Sequence, residues 1–99
     1  MIDLHDLISG MTPGDGVWVE YDSKRGDGKE RMSGEVVECI VRDDRCKLRF
    51  RRDDGQVCVI RGDGALLSMG SQYTHTGDVV AAERVEGYAE TPYLQRNGL

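Results

Sequence analysis

Residues 34–61 alternate between apolar and polar side chains, and this period of two constrains the fold more than any other feature. Three such runs are Glu35–Arg42, Cys46–Arg52 and Gln56–Arg61, separated by two short breaks rich in Asp. Alternation is typical of strands with one buried face, because successive side chains point to opposite sides of a sheet. Asp and Gly tolerate the backbone angles of tight hairpin turns. The sequence therefore predicts three antiparallel strands joined by two hairpins.

The same alternation predicts which side chains face the core. The inward positions are Val37, Cys39 and Val41 in the first run and Cys46, Leu48 and Phe50 in the second. The outward positions of the second run are Lys47, Arg49 and Arg51. Register is strongly specified here, since a slip of one residue would exchange the two faces. We therefore expect a row of cations on the outer surface of the second strand.

The segments before this region predict one helix, one strand and one loop. Apolar residues at i, i+3, i+4 and i+7 from Leu4 indicate a short N-terminal helix over about residues 3–10. Val17–Tyr21 reads as a strand in which Trp18 and Glu20 share the face opposite to Val17, Val19 and Tyr21. Residues 22–33 are charged and broken by glycine, which predicts a long mobile loop.

The segments after residue 61 predict short strands and a tail. Ala65–Met69 is apolar, a polar strand candidate follows through Tyr73, and Gly77-Asp78 leads into a strand over Val79–Val85. Residues 87–99 are predicted to form a frayed tail. One helix and five to six short strands in 99 residues favour a mainly β single domain over residues 1–86. We expect a small antiparallel barrel, because curling hides the edges of a sheet.

The order of these elements resembles the SH3-like small barrels. In that superfamily the first strand often follows a Gly-Asp turn, as Gly14-Asp15 precedes Val17 here, and a long loop and two hairpins come next. A shorter resemblance is to the Sm-like RNA-binding proteins, whose second signature looks like Ile60-Arg61-Gly62-Asp63. That resemblance implies that Arg61 and Gly62 contact RNA. The first signature of the Sm-like family is not matched, since no Asn occurs before position 97.

Composition narrows the class of protein. No apolar run approaches the ~20 residues that span a bilayer, and the N-terminal residues lack a basic start and an apolar stretch, so we expect a cytoplasmic protein that enters no membrane. The three cysteines Cys39, Cys46 and Cys58 form no Cys-x-x-Cys pair, which argues against a metal site. Neither histidine has a convincing nucleophile partner. We therefore expect no enzyme activity, no metal and no cofactor.

Charge is segregated along the chain, whose formal net charge is −5. Residues 42–61 hold seven bases and four acids, a balance of +3, so the other residues carry −8. A basic sheet face on an acidic protein is typical of a surface that meets phosphates. The alternative is cross-strand ion pairing with Glu35 and Glu38.

Two aromatic residues could add base stacking to such a surface. Trp18 points away from the expected core side, and Tyr73 lies in a polar strand. The alternative for Trp18 is that the N-terminal helix covers it. Asp supplies 11 of the 18 acids and Arg 10 of the 13 bases, a composition that resembles salt-adapted proteins.

Two functional hypotheses follow. The first is binding of RNA or single-stranded DNA through Trp18, Lys47, Arg49, Arg51 and Arg61. The second is a protein-interaction module or accessory subunit, in which an open strand edge or the loop at 22–33 docks a protein partner.

Overall fold

The chain folds into a closed antiparallel barrel of six strands preceded by one short helix. The computed structural model describes residues 3–24, 26, 28–43, 45–69 and 73–85. The elements are α1 (Leu4–Ser9), β1 (Gly16–Ser23), β2 (Lys29–Val41), β3 (Cys46–Arg51), β4 (Val57–Arg61), β5 (Ala65–Met69) and β6 (Tyr73–Val85). The predicted mainly β barrel with a short N-terminal helix is confirmed. The predicted tail, residues 87–99, lies outside the described residues.

Two long strands each serve two neighbours, which closes the barrel. β2 pairs with β1 through Lys29–Glu35 and with β3 through Glu35–Val41. β6 pairs with β5 through Tyr73–Asp78 and with β1 through Gly77–Val85. We call β1 with its two partner halves the first sheet. The second sheet consists of β3, β4 and β5 with the remaining halves of β2 and β6.

Gly34 stands where β2 changes partner. It pairs with Val17 in the first sheet, and the next residue, Glu35, already faces Arg51 in the second. A Cβ atom at Gly34 would lie 2.8 Å from Cδ2 of Phe50 and 2.8 Å from the carbonyl carbon of Arg51. Only glycine therefore allows β2 to pass this close to β3.

A β-bulge at Val37 corrects the predicted face of β2. Val36 pairs with Phe50 and Glu38 with Arg49, so Val37 is an extra residue in the ladder. The core position belongs to Val36, which is 1% exposed, whereas Val41 is 45% exposed. The predicted core position of Val37 is therefore wrong, because the bulge puts Val36 in its place. Cys39 packs against the core as predicted, and Val41, which is on the same side in the register, is exposed at the end of the strand.

The predicted loop at residues 22–33 is also wrong. β1 runs on to Ser23 and β2 begins at Lys29, and their register continues as far as Asp22 opposite Lys29. Only a short turn, closed by a 3.0 Å hydrogen bond from the Ser23 amide to the carbonyl of Gly28, separates the two strands. β6 begins at Tyr73 and continues through Val85, so it is longer than the predicted Val79–Val85 strand. Residues 70–72 of the predicted polar strand lie outside the described residues.

The core fills the inside of the barrel. Val17, Val19 and Tyr21 of β1 and Cys46, Leu48 and Phe50 of β3 are buried in one cluster, as predicted. The helix adds Leu4, Ile8 and Met11 to the same cluster. Asp3 caps the helix, its side chain accepting a 3.1 Å hydrogen bond from the Asp6 amide. The apolar side of the helix thus packs against the core, and Trp18 lies on the opposite face of β1.

Across the described residues, the helix is too short and too polar to cross a lipid bilayer.

Candidate anion-binding cleft

A cleft of about 790 Å³ opens between the helix and the adjacent ends of β2, β3 and β4. Its described lining residues are His5, Ile40, Arg42, Arg45, Cys46, Lys47, Arg61, Gly62 and Asp63. Four of these side chains are cationic at neutral pH and one is a carboxylate. The cleft is therefore the place where the fold gathers positive charge.

Hairpin geometry brings the four cations together. Arg42 and Arg45 flank the turn between β2 and β3, which is closed by a 2.7 Å hydrogen bond from the Arg42 amide to the Arg45 carbonyl. Lys47 stands directly opposite Arg61 in the pairing of β3 with β4. Like charges directly opposite each other repel in a sheet, and here the guanidinium of Arg61 is paired with Asp63.

Gly62 lets the end of β4 approach the start of β3 at the base of the cleft. Its amide donates a 2.8 Å hydrogen bond to the carbonyl of Cys46. A Cβ atom at Gly62 would lie 2.6 Å from Sγ of Cys46. A larger residue after Arg61 would therefore require the Cys46 side chain to move, since the backbone oxygen of Cys46 lies further away, at 3.3 Å.

Asp63 fixes the guanidinium of Arg61. Nε of Arg61 donates to Oδ1 of Asp63 at 3.2 Å, and Nη2 donates to Oδ2 at 2.7 Å. Oδ1 also accepts a 3.1 Å hydrogen bond from the Ala65 amide, which anchors the carboxylate to the backbone. The hydrogen bonds to Arg61 lower the pKa of Asp63, and those to Asp63 raise the pKa of Arg61. The pair stays ionised across the neutral range, and Arg61 is presented in one orientation.

The thiols are not activated as nucleophiles. Burial raises the pKa of Cys46 in the cleft, and it likewise raises the pKa of Cys39 and of Cys58. Within the described ranges, His, Cys, Asp and Glu side chains form no group of three or more that could hold a metal ion. The groups that the cleft does offer are hydrogen-bond donors with positive charge, which suit an anion.

The structure brings two of the five predicted site residues into the cleft, Lys47 and Arg61. Arg49 and Arg51 lie further along the outer face of β3, where Arg49 faces Glu38 and Arg51 faces Glu35. Nη1 of Arg49 lies 3.7 Å from Oε1 of Glu38. The cross-strand pairing considered as an alternative is thus present at Arg49.

Trp18, the fifth predicted site residue, lies on the outer face of the first sheet. The guanidinium carbon of Arg31 lies 5.1 Å from the centre of the Trp18 ring, and Nε of Arg31 donates to Oε2 of Glu20 at 3.1 Å. Because β1 is adjacent only to β2 and β6, Trp18 is not brought to the cleft. The side chain of Tyr73 lies outside what the structure describes.

Sequence reasoning did not place Arg42, Arg45 and His5 at the site. Both arginines belong to the basic segment at 42–61, which is a usable signal, but a turn residue shows no alternation from which a direction could be inferred. His5 joins the cleft only because the helix packs over this end of the barrel, and its sequence gives no sign of that.

Comparisons with models of protein families, with curated proteins and with solved structures gave no match.

Proposed function

We propose that the protein is a small non-enzymatic domain that binds nucleic acid, with the cleft contacting phosphate groups. The observation that carries this proposal is the convergence of Arg42, Arg45, Lys47 and Arg61 on one cleft of a chain whose net charge is −5. Mutual repulsion of these cations opposes folding. An anionic ligand would offset that repulsion when it binds.

The side-chain types in the cleft suit phosphate oxygens. A guanidinium donates two parallel hydrogen bonds to a phosphate, and a lysine ammonium adds a mobile point charge. Each phosphate that is neutralised also releases condensed counterions, which favours binding at low salt. The mouth of the cleft is open, so a chain of phosphates could enter and leave it.

The test is the affinity of labelled single-stranded RNA and DNA, measured over a range of salt concentrations. The double variant Arg42→Gln, Arg45→Gln should bind more weakly, and the slope of log K against log salt should fall by about one to two units if both side chains contact phosphates. The matched control is Lys29→Gln, Arg31→Gln, which removes the same charge from the first sheet. It should leave the slope unchanged.

Equal losses in the two double variants would show that only net charge matters and would contradict a site in the cleft. Absence of binding by the natural chain at low salt would contradict nucleic-acid binding itself. In that case a pull-down from nuclease-treated extract tests the protein-interaction hypothesis, because nuclease leaves protein partners bound.

A further inference from the structure

The outer face of the second sheet has an unusual distribution of apolar side chains. On β4 and β5 the outward positions are Val57, Val59, Leu67 and Met69, which we call the apolar strip. The inward positions next to them include Cys58 and Ser68, which pair with each other. At the end of β5, Leu67 and Met69 point outward and Ser68 points inward, whereas Leu66 on the inward side is fully buried in the core.

The apolar strip is separate from the core. Val59 is only 3% exposed, yet it does not belong to the core cluster. In the register it lies between Arg49 on β3 and Leu67 on β5. Val57, Leu67 and Met69 are partly exposed. The exposed aliphatic area of the apolar strip therefore comes from Val57, Leu67 and Met69, which surround the buried Val59.

Three cations border the apolar strip along β3. Lys47, Arg49 and Arg51 form this cation row, and they stand opposite Arg61, Val59 and Val57 of β4. On the other side of the row, Glu38 and Glu35 of β2 face Arg49 and Arg51. Carboxylates thus border the cation row on the β2 side, where Glu38 pairs with Arg49, and aliphatic side chains border it on the β4 side.

The cation row begins at the cleft. Lys47 lines the cleft and is also the first member of the row, and Arg61 lines the cleft at the end of β4. Alternate residues of a strand are about 6.6 Å apart. That spacing is similar to the separation of adjacent phosphates in an extended single strand of nucleic acid.

From this arrangement we infer that the ligand class is extended single-stranded nucleic acid. Its phosphates run from the cleft along the cation row, and its bases lie against the apolar strip. The inference rests on the proposed function and adds the path of the strand and the contact with bases. A duplex could use the cations but not the apolar strip, because its bases are paired and stacked inside.

The test compares three probes in the same buffer by fluorescence anisotropy. They are a short oligodeoxythymidine strand, an abasic strand of equal length and a duplex with the same number of phosphates. We expect the strand with bases to bind about tenfold more tightly than the abasic strand, and also more tightly than the duplex. Affinities of the three probes within about twofold of each other would overturn the inference.

Variants of the apolar strip separate base contact from charge. Val57→Thr and Leu67→Gln leave the net charge unchanged and should weaken binding of the strand with bases about threefold or more, with no change for the abasic strand. Val80→Thr, at an exposed position of β6 outside the apolar strip, is the control and should change neither affinity. Thermal unfolding confirms that each variant is folded before binding is measured.

The outcomes distinguish this inference from the proposed function. If all probes bind alike and the cleft variants still reduce the salt slope, the cleft binds phosphate and the base contact is refuted. If no probe binds, both are refuted. If polyglutamate displaces the strand as well as an oligonucleotide of equal charge does, the face binds anionic chains without regard to bases, and the inference fails.

Discussion

The outer faces of the two sheets carry their charges in different ways. On the first sheet, the cation of Arg31 lies over Trp18 and is paired with Glu20, so its neighbours already satisfy it. On the second sheet, Lys47 stands opposite Arg61, and both point towards a cleft with two further arginines. Both faces surround the same core. Ion pairs are present on both faces, since Arg61 is paired with Asp63 and Arg49 with Glu38. The two faces differ because only the second gathers four cations around one cleft.

The largest effect is expected where the two sheets join. In Gly34→Ala the added methyl group would collide with Phe50 and with the backbone of Arg51, so we expect a loss of about 2–4 kcal/mol in the free energy of unfolding. Urea denaturation measures it. Both faces should then lose their structure together, because they share one core.

Gly10→Ala is the control for that substitution. The Cβ atom would lie 3.6 Å from the nearest neighbour, the carbonyl oxygen of Asp6, and the backbone angle of Gly10 suits any residue. We expect no loss and up to about 1 kcal/mol of added stability. A similar loss in both variants would show that the close approach at Gly34 is not what limits the residue there.

A smaller effect on stability is expected from loss of the negative charge of Asp15, which lies just before β1. Asp15 accepts a 3.0 Å hydrogen bond from the Thr12 amide and lies 3.3 Å from Nε of Arg84, and these contacts lower its pKa. Because the folded pKa is depressed, its contribution is present above the ordinary value of 3.8 and is lost as the pH falls through the folded value. Asp15→Asn should therefore cost about 1 kcal/mol at neutral pH.

Thermal unfolding between neutral pH and strong acid checks this prediction. The natural chain and Asp15→Asn should differ most at neutral pH and converge in acid. A difference that stays constant over the whole range would mean that the carboxylate charge of Asp15 does not contribute to stability.

The smallest changes in the free energy of unfolding are expected when a single cation is removed from either face. Arg31→Gln removes both a cation over an aromatic ring and an ion pair, and should cost about 0.5–1 kcal/mol. Lys47→Gln removes a like charge facing Arg61 and should be neutral or stabilising by a few tenths of a kcal/mol. Chemical denaturation with urea at low salt measures both changes. If Lys47→Gln were as costly as Arg31→Gln, the two faces would not differ in the way described.

The strands of the second sheet could be predicted closely from the sequence. β5 has the predicted bounds, and β3 and β4 differ by one residue at one end. Alternation marks one face of β3, whereas β4 and β5 are short apolar runs bounded by turn residues. The start of β2 could not be predicted. Residues 29–31 are all exposed, and backbone pairing with β1 holds them in the strand without any apolar alternation.

The candidate site could be predicted in part. The proximity of Lys47 and Arg61 could be predicted, because the register of the hairpin alone places them side by side. The bulge at Val37 could not be predicted. Val36 and Val37 are both apolar, so the sequence of this strand does not show which of the two faces the core. Arg42 and Arg45 flank the turn between β2 and β3, where no alternation indicates the direction of a side chain, and the cleft also requires the helix to pack over this end of the barrel.

The pairing of β1 with β6 also determines how the chain folds. β2, β3, β4 and β5 are linked by short connections, so their ladders join residues that are near each other in sequence. Closure of the barrel instead pairs Ser23 with Gly77 and Gly16 with Val85, which are far apart in the sequence. Bringing such distant segments together costs loop entropy before any contact is gained, which slows folding. We therefore expect the β2–β5 meander, with its cations, to form early and the seam between the first and last strands to close in the rate-limiting step.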